Sequence, residues 1–322
     1  MTPLGIMRGL SQCSSSSGAF TILALDHRQN LRRDLRPADP ASVAADELIE
    51  FKRVVVRAIG SVATGILLDP EYGAAQAIAD GSLPGSVGLI VALEETGYAG
   101  SPIDRRSRLL DGWSPDMARR LGASAAKLLV YYHPDAPGAA AQEALVESVA
   151  RACRAVELPL FLEPLTFAQV DGQQLVGEAR RRVVVETARR LGGLGVDVVK
   201  VEFPYDASVT DRARWHEACA ELDAAVSIPW VLLSGGADPA TFIAQVEIAC
   251  AAGASGVAAG RAIWSEATTL AGAPRESFLA AVALRRLTDL RQLIDRVARP
   301  WTEAMPLAGA AATPAADWYR TT

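Results

Sequence analysis

The sequence is poor in the residues that build redox and metal sites. Its four cysteines, Cys13, Cys153, Cys219 and Cys250, lie far apart and form no Cys-x-x-Cys pair, so neither a zinc knuckle nor a dithiol motif is expected. Isolated thiols fit a reducing compartment, and the expected location is the cytoplasm. The three histidines, His27, His133 and His216, form no His-x-His or His-Glu-x-x-His pattern, which argues against a histidine-rich zinc site. Only a carboxylate-bound magnesium at Asp26 and Asp69 stays open; the reading adopted has no metal and no cofactor. No apolar run reaches the ~18 residues of a membrane span, and the first residues hold no apolar stretch of signal-peptide length. The chain is therefore expected to be neither membrane-embedded nor secreted. A formal net charge of −5 leaves no global basic surface for nucleic acid or anionic lipid, so any anion binding must be focal.

What is present is apolar mass in a regular order. Half of the 322 residues are hydrophobic, enough for a large core. Eight short β-rich runs recur, at 20–25, 65–68, 88–93, 126–131, 159–162, 197–201, 229–233 and 256–259. Most are continuously apolar, as strands covered on both faces of a parallel sheet should be. Between them lie stretches long enough for crossover helices, among them 46–59, 139–156, 177–191, 212–225 and 239–252. Eight such units over residues 20–299 predict an α/β fold of the (β/α)₈ TIM-barrel type, a closed parallel eight-stranded barrel. The rival, an open doubly wound sheet, lacks its Gly-x-Gly-x-x-Gly turn: the first run is followed by Asp26-His27-Arg28-Gln29. Residues 1–19 read as a flexible lead-in. Residues 300–322, rich in Ala and Pro and carrying Trp301, Trp318 and Tyr319, read as a tail or an arm docking on a neighbour.

In such a barrel the active site lies at the C-terminal strand ends, so the polar residues that close each run are the ones to read. They are Asp26, Asp69, Glu94, Glu163, Ser234-Gly235-Gly236 and Gly260-Arg261. Two lysines stand inside runs, Lys127 and Lys200. Lys200, between Val199 and Val201, is the most informative, because a lysine in an apolar strand is seldom buried without a reason. Desolvation favours the neutral amine, the nucleophile of Schiff-base chemistry. Glu202, two residues on, shares its face. A buried Lys–Glu structural pair, or an outward lysine snorkelling between helices, is the plainer reading. Lys127 is a candidate second cation for phosphate or an edge lysine. Glu163 is a candidate proton shuttle or a solvated loop carboxylate. The glycine turn after the seventh run and Gly260-Arg261 after the eighth occupy the places where barrels commonly bind phosphate; glycines open backbone N–H groups to the oxygens, and arginine can bind them in a bidentate manner.

Several segments together resemble the class I, lysine-dependent tagatose 1,6-bisphosphate aldolases. They are Leu67-Leu68-Asp69-Pro70-Glu71-Tyr72-Gly73, Glu95-Thr96-Gly97-Tyr98, Lys127-Leu128-Leu129-Val130-Tyr131-Tyr132, Phe161-Leu162-Glu163, Val199-Lys200-Val201-Glu202 and Ala259-Gly260-Arg261-Ala262-Ile263-Trp264. The resemblance implies a Schiff-base lysine at Lys200, a supporting lysine at Lys127, an acid/base glutamate at Glu163 and a phosphate-binding arginine at Arg261. It places Asp26, Arg28, Asp69, Glu202, Ser234, Gly235, Gly236 and Gly260 at the substrate. The implied reaction is cleavage of tagatose 1,6-bisphosphate to dihydroxyacetone phosphate and glyceraldehyde 3-phosphate, with a homo-oligomer expected. The related sulfofructose-1-phosphate aldolases share the strand-six lysine, the turn at Leu233 to Gly236 and the segment through Ser265, so 6-deoxy-6-sulfofructose 1-phosphate is the second substrate. The chain departs from the family at His27, where Gln is usual, and at Gly235, where the tagatose type usually has Ala. A catalytically silent barrel that senses a sugar phosphate is the alternative of another class.

Overall fold

In the computed structural model, which describes residues 2–305, the eight expected runs form eight parallel strands closed into a barrel. They are β1 (Phe20–Ala24), β2 (Gly65–Leu68), β3 (Gly88–Ala92), β4 (Ala125–Tyr132), β5 (Leu160–Thr166), β6 (Val198–Val201), β7 (Trp230–Leu233) and β8 (Gly256–Ala259). Each pairs with its successor, and β8 returns to β1 with Phe20 opposite Gly256. Helices Ala45–Ile59, Ala139–Ala155, Gly177–Gly192, Arg212–Ala225, Pro239–Ala252 and Leu284–Val297 surround the barrel. The strands are rich in Val, Ile and Leu because both faces are covered: one meets the helices, the other fills the interior.

The side-chain period of two builds that interior. Phe20, Ile22, Ala24, Leu67, Ile90, Ala125, Phe161, Val198, Val231 and Ala258 point inward and form one buried cluster. Each large apolar side chain buried there contributes about 1.5–3 kcal/mol. Ile66, Leu68, Leu128, Leu162, Val199 and Leu232, on the opposite parity, join the layer beneath the helices.

The lead-in expected to be flexible is instead a helix, Leu4–Gln12, followed by a turn at residues 13–18. Ile6, Leu10 and Cys13 recur at helical spacing and close the bottom of the barrel against the inner cluster. The approach is close: a Cβ on Gly9 would lie 2.2 Å from the Ser124 carbonyl oxygen. Trp301 packs into the same floor, its backbone N–H donating to Gly18 O (2.9 Å) and its indole N–H to Ser14 Oγ (3.1 Å). Residues 300–305 thus belong to the barrel floor, while 306–322, most of the expected tail or arm, lie outside the described residues. All four cysteines are free and buried, and burial pushes their thiols up to about 12, as expected of side chains that pack rather than react.

Candidate active site

Continuing each inward row by two residues toward the C-terminal end replaces apolar side chains with charged ones. Ala24 leads to Asp26, Ala125 to Lys127, Phe161 to Glu163 and Val198 to Lys200. These residues line a cavity of ≈ 320 Å³ at the barrel mouth. Arg28, Glu202, Ser234, Gly235, Gly236, Gly260 and Arg261 also line it, so every site residue expected from the sequence except Asp69 is brought together.

Lys127, on β4, is the electrostatic hub. Its buried ammonium donates to Asp26 Oδ2 and Glu94 Oε1, each at 2.7 Å, and lies 3.0 Å from Glu163 Oε2. Burial alone would lower this ammonium, but Asp26, Glu163 and Glu94 hold it well above the ordinary lysine value. It is a fixed positive charge. Lys200, on β6, lies 2.7 Å from the other Glu163 oxygen, so Glu163 bridges the two lysines. Burial would raise the Glu163 carboxyl, yet Lys127 and Lys200 hold it below its usual value; Asp26, under the same opposing influences, is held far lower. Both are therefore carboxylates at neutral pH, and Glu163 Oε1 lies within hydrogen-bond distance of Lys200 Nζ.

The other end of the cavity carries the glycine turn after β7 and Arg261. Gly235 and Gly236, at φ 57° and 83°, turn the chain sharply after β7. A Cβ on Gly236 would lie 3.4 Å from the Arg261 guanidinium, an ordinary contact, so it is the positive φ and not space that calls for glycine where Arg261 lies against the turn. Arg261 makes no ion pair among the described residues and is free for a ligand.

Asp69 is the correction. Its carboxylate pairs with Lys52 of helix Ala45–Ile59 and accepts the Tyr72 N–H at 2.7 Å, both inside the protein and away from the cavity. The buried Lys52 ammonium needs a counter-charge, and the chain leaves β2 at Leu68, so the strand's parity does not carry to Asp69. Arg28 lines the cavity, but its guanidinium is committed to Glu71 Oε2 and the Glu94 carbonyl, each at 2.7 Å. Glu202 accepts both the N–H and the hydroxyl of Thr166 at 2.7 Å and pairs with Arg180 at 3.0 Å, which makes it a wall of the site.

Sequence reasoning gave no site role to three residues that the structure brings to the cavity. Glu94 closes the third run but was assigned no role; it is the third carboxylate on Lys127, and its Oε2 accepts the Leu129 N–H at 2.9 Å. Tyr131 continues the Lys127–Leu129 row into the cavity, a position that strand parity signals. His27 lines the cavity edge-to-face with Trp264, and burial pushes its imidazole down to about 4, leaving it neutral at physiological pH.

A barrel whose mouth carries two lysines bridged by a carboxylate, with an arginine unpaired among the described residues beside a glycine turn, has the layout of a lysine-centred enzyme. Residues 20–266 match the family model described as DeoC/LacD family aldolase, and the chain belongs to that family: it is an aldolase, a lyase. It is 31% identical to the tagatose 1,6-diphosphate aldolase of Listeria monocytogenes, covering 92% of this chain and 94% of that one. It is 29% identical to tagatose 1,6-diphosphate aldolase 2 of Streptococcus pyogenes, covering 90% and 95%. The fold matches the fructose-bisphosphate aldolase of Slackia heliotrinireducens with a TM-score of 0.64 at 16% identity, covering 92% and 93%. Among the described residues no helix is long and apolar enough to cross a membrane.

Proposed function

We propose that the protein cleaves a ketose 1,6-bisphosphate, tagatose 1,6-bisphosphate first, through a Schiff base on Lys200. The observation that carries this reading is the Lys127–Glu163–Lys200 bridge: one lysine is locked as a cation by three carboxylates, and the other faces a carboxylate that can take its proton. Lys200 passes a proton to Glu163, and its lone pair attacks the C2 carbonyl, whose oxygen is protonated to a carbinolamine. Loss of water leaves an iminium. A carboxylate, Glu163 again, takes the C4 hydroxyl proton as the C3–C4 electrons move into the C2–C3 bond, and glyceraldehyde 3-phosphate leaves. Protonation of the enamine at C3 and hydrolysis release dihydroxyacetone phosphate and free Lys200. Lys127 keeps Asp26 and Glu163 ionised and holds Glu94 in place; Arg261 and the Gly235-Gly236 turn hold the phosphate nearest C2.

The curated relatives named above carry tagatose 1,6-diphosphate in their names, which supports the bisphosphate. The second substrate, 6-deoxy-6-sulfofructose 1-phosphate, is favoured by the glycine turn at Ser234-Gly235-Gly236 and by Ser265. Side-by-side assays with purified enzyme test the choice. A higher kcat/KM for tagatose 1,6-bisphosphate is expected; a tenfold preference for the sulfonate, roughly 1.4 kcal/mol in transition-state binding, reverses it.

A further inference from the structure

A substrate with a charged group at each end needs a cation at each end of the cavity. Arg261 and the turn after β7 supply one, at the β7–β8 rim. In a closed eight-strand barrel the opposite rim is at β3–β4, which carries Lys127, and Lys200 on β6 lies between the two. Beyond Lys127 that rim is lined by Glu95, Thr96, Gly97, Leu129 and Tyr131, and Arg106 and Arg108 share a smaller pocket with Glu95, Thr96 and Gly97. The nearest cations stand on a hairpin between β3 and helix Pro115–Leu121, with strands Ala99–Ser101 and Asp104–Arg106.

The cations of this region are spoken for, with one exception. Lys127 is held by three carboxylates, and Arg28 by Glu71. Arg106 pairs with Asp104, and Arg108 with Glu95 at 3.1 Å. Arg33 belongs to the other rim, where it and Arg261 both act on the Asp34 carboxyl. Arg105 has no carboxylate partner among the described residues. Its Nε donates to Pro102 O at 2.9 Å, and its guanidinium lies 4.9 Å from the Tyr98 ring, 5.2 Å from Phe167 and 5.8 Å from Tyr131, the cavity-lining residue. Aromatic faces hold an arginine without neutralising it, so its remaining N–H donors stay available. The hairpin beneath it is anchored: Asp104 Oδ1 accepts the Gly138 N–H at 2.8 Å, and Ile103 O accepts from Gln169 Nε2 at 2.9 Å.

We propose that Arg105 binds the anionic group on the terminal carbon of the aldehyde-forming half of the substrate, and so selects ketoses charged at both ends over ketose 1-phosphates. The inference rests on the aldolase reading of the site, and it fixes which residue meets the second charge. Arg105 is a binding residue, outside the proton transfers at Lys200 and Glu163. Tyr98, Tyr131 and Phe167 hold its guanidinium beside the cavity-lining Tyr131, which lowers the entropy lost when it meets an anion.

The test uses hexitol 1,6-bisphosphate and hexitol 1-phosphate, which lack the ketone and bind without reacting. Their Kd values for the wild-type protein and for Arg105→Ala, Arg105→Gln and Arg105→Lys are measured by titration calorimetry. The wild type should bind the bisphosphate about 10- to 100-fold more tightly, the range of one charge-assisted hydrogen-bonded pair. Arg105→Ala and Arg105→Gln should bring that ratio to within about threefold of unity, and Arg105→Lys should leave it intermediate. Arg105→Gln keeps a polar stem and covers the case in which the alanine variant fails to fold. A wild-type ratio near one, or a ratio that the Ala and Gln variants leave unchanged, overturns the proposal. Failure of the aldolase reading shows separately, as absent cleavage with the Kd ratio still measurable.

Discussion

Replacing Lys127 with methionine tests the electrostatics of the site without adding volume. The substitution leaves Glu163 paired with Lys200 at 2.7 Å and Glu94 within 3.7 Å of Arg28. Asp26 loses its 2.7 Å partner, and its next contact, His27 Nδ1, is 3.9 Å away. Breaking a buried pair in this way costs about 3–5 kcal/mol when the orphan stays charged. Asp26 will reduce that cost by taking a proton, which gives the penalty a sign and a slope. In the wild type the depressed Asp26 value contributes stability that is fully present above the unfolded pKa of ~3.9 and is lost only in stronger acid. In the variant, burial, the largest influence on Asp26, is opposed chiefly by Lys200, and the predicted outcome is a folded value above the unfolded one, with the native state binding the extra proton and stability falling as pH rises. The slope is about 1.4 kcal/mol per pH unit for one proton, or up to about 2.7 kcal/mol between pH 5 and pH 7. Urea unfolding of both proteins followed by circular dichroism at pH 5, 6, 7 and 8, with the m-value checked for constancy, gives the difference directly. A penalty below about 1 kcal/mol, or one that is flat across this range, would show that Lys127 does not hold the cluster as described.

Lys200→Ala should fold and lose nearly all cleavage activity, and Lys200→Arg should not restore it, because a guanidinium stays protonated and cannot attack a carbonyl; measurable turnover by either moves the nucleophile elsewhere. Arg261→Ala should raise KM for the phosphorylated ketose by the equivalent of ~2–4 kcal/mol with a smaller change in kcat, and an unchanged KM would place the phosphate at another site. EDTA should leave activity intact, since the iminium supplies the electron sink that a metal would otherwise provide; loss restored by one divalent ion would replace the mechanism.

The barrel was legible because both periodicities were. Runs such as 65–68 and 256–259 coincide with β2 and β8, and helices Arg212–Ala225 and Pro239–Ala252 have the expected bounds. The fifth run failed in an instructive way. Glu163-Pro164 reads as an end because proline has no N–H for the ladder, but β5 continues to Thr166, paired with β4 through Tyr132. The place of a polar residue within or at the end of a run gave Lys127, Glu163 and Lys200, and the structure sets each two residues beyond an inward apolar side chain. The same reading misled at Asp69, where a buried lysine on a neighbouring helix captured the carboxylate. The N-terminal helix and Glu94 were missed for a related reason: what orders them is contact with distant segments, the Ser124 backbone and Lys127, which local pattern does not encode.

The central claim is that Lys200 forms the covalent intermediate. Incubating the protein with tagatose 1,6-bisphosphate or dihydroxyacetone phosphate, adding borohydride, and mapping the digest by mass spectrometry tests it most directly. The predicted result is a reduced secondary-amine adduct on the peptide carrying Lys200, absent without substrate and absent in Lys200→Ala. An adduct on Lys127, or cleavage of substrate with no trapped adduct, would contradict the account.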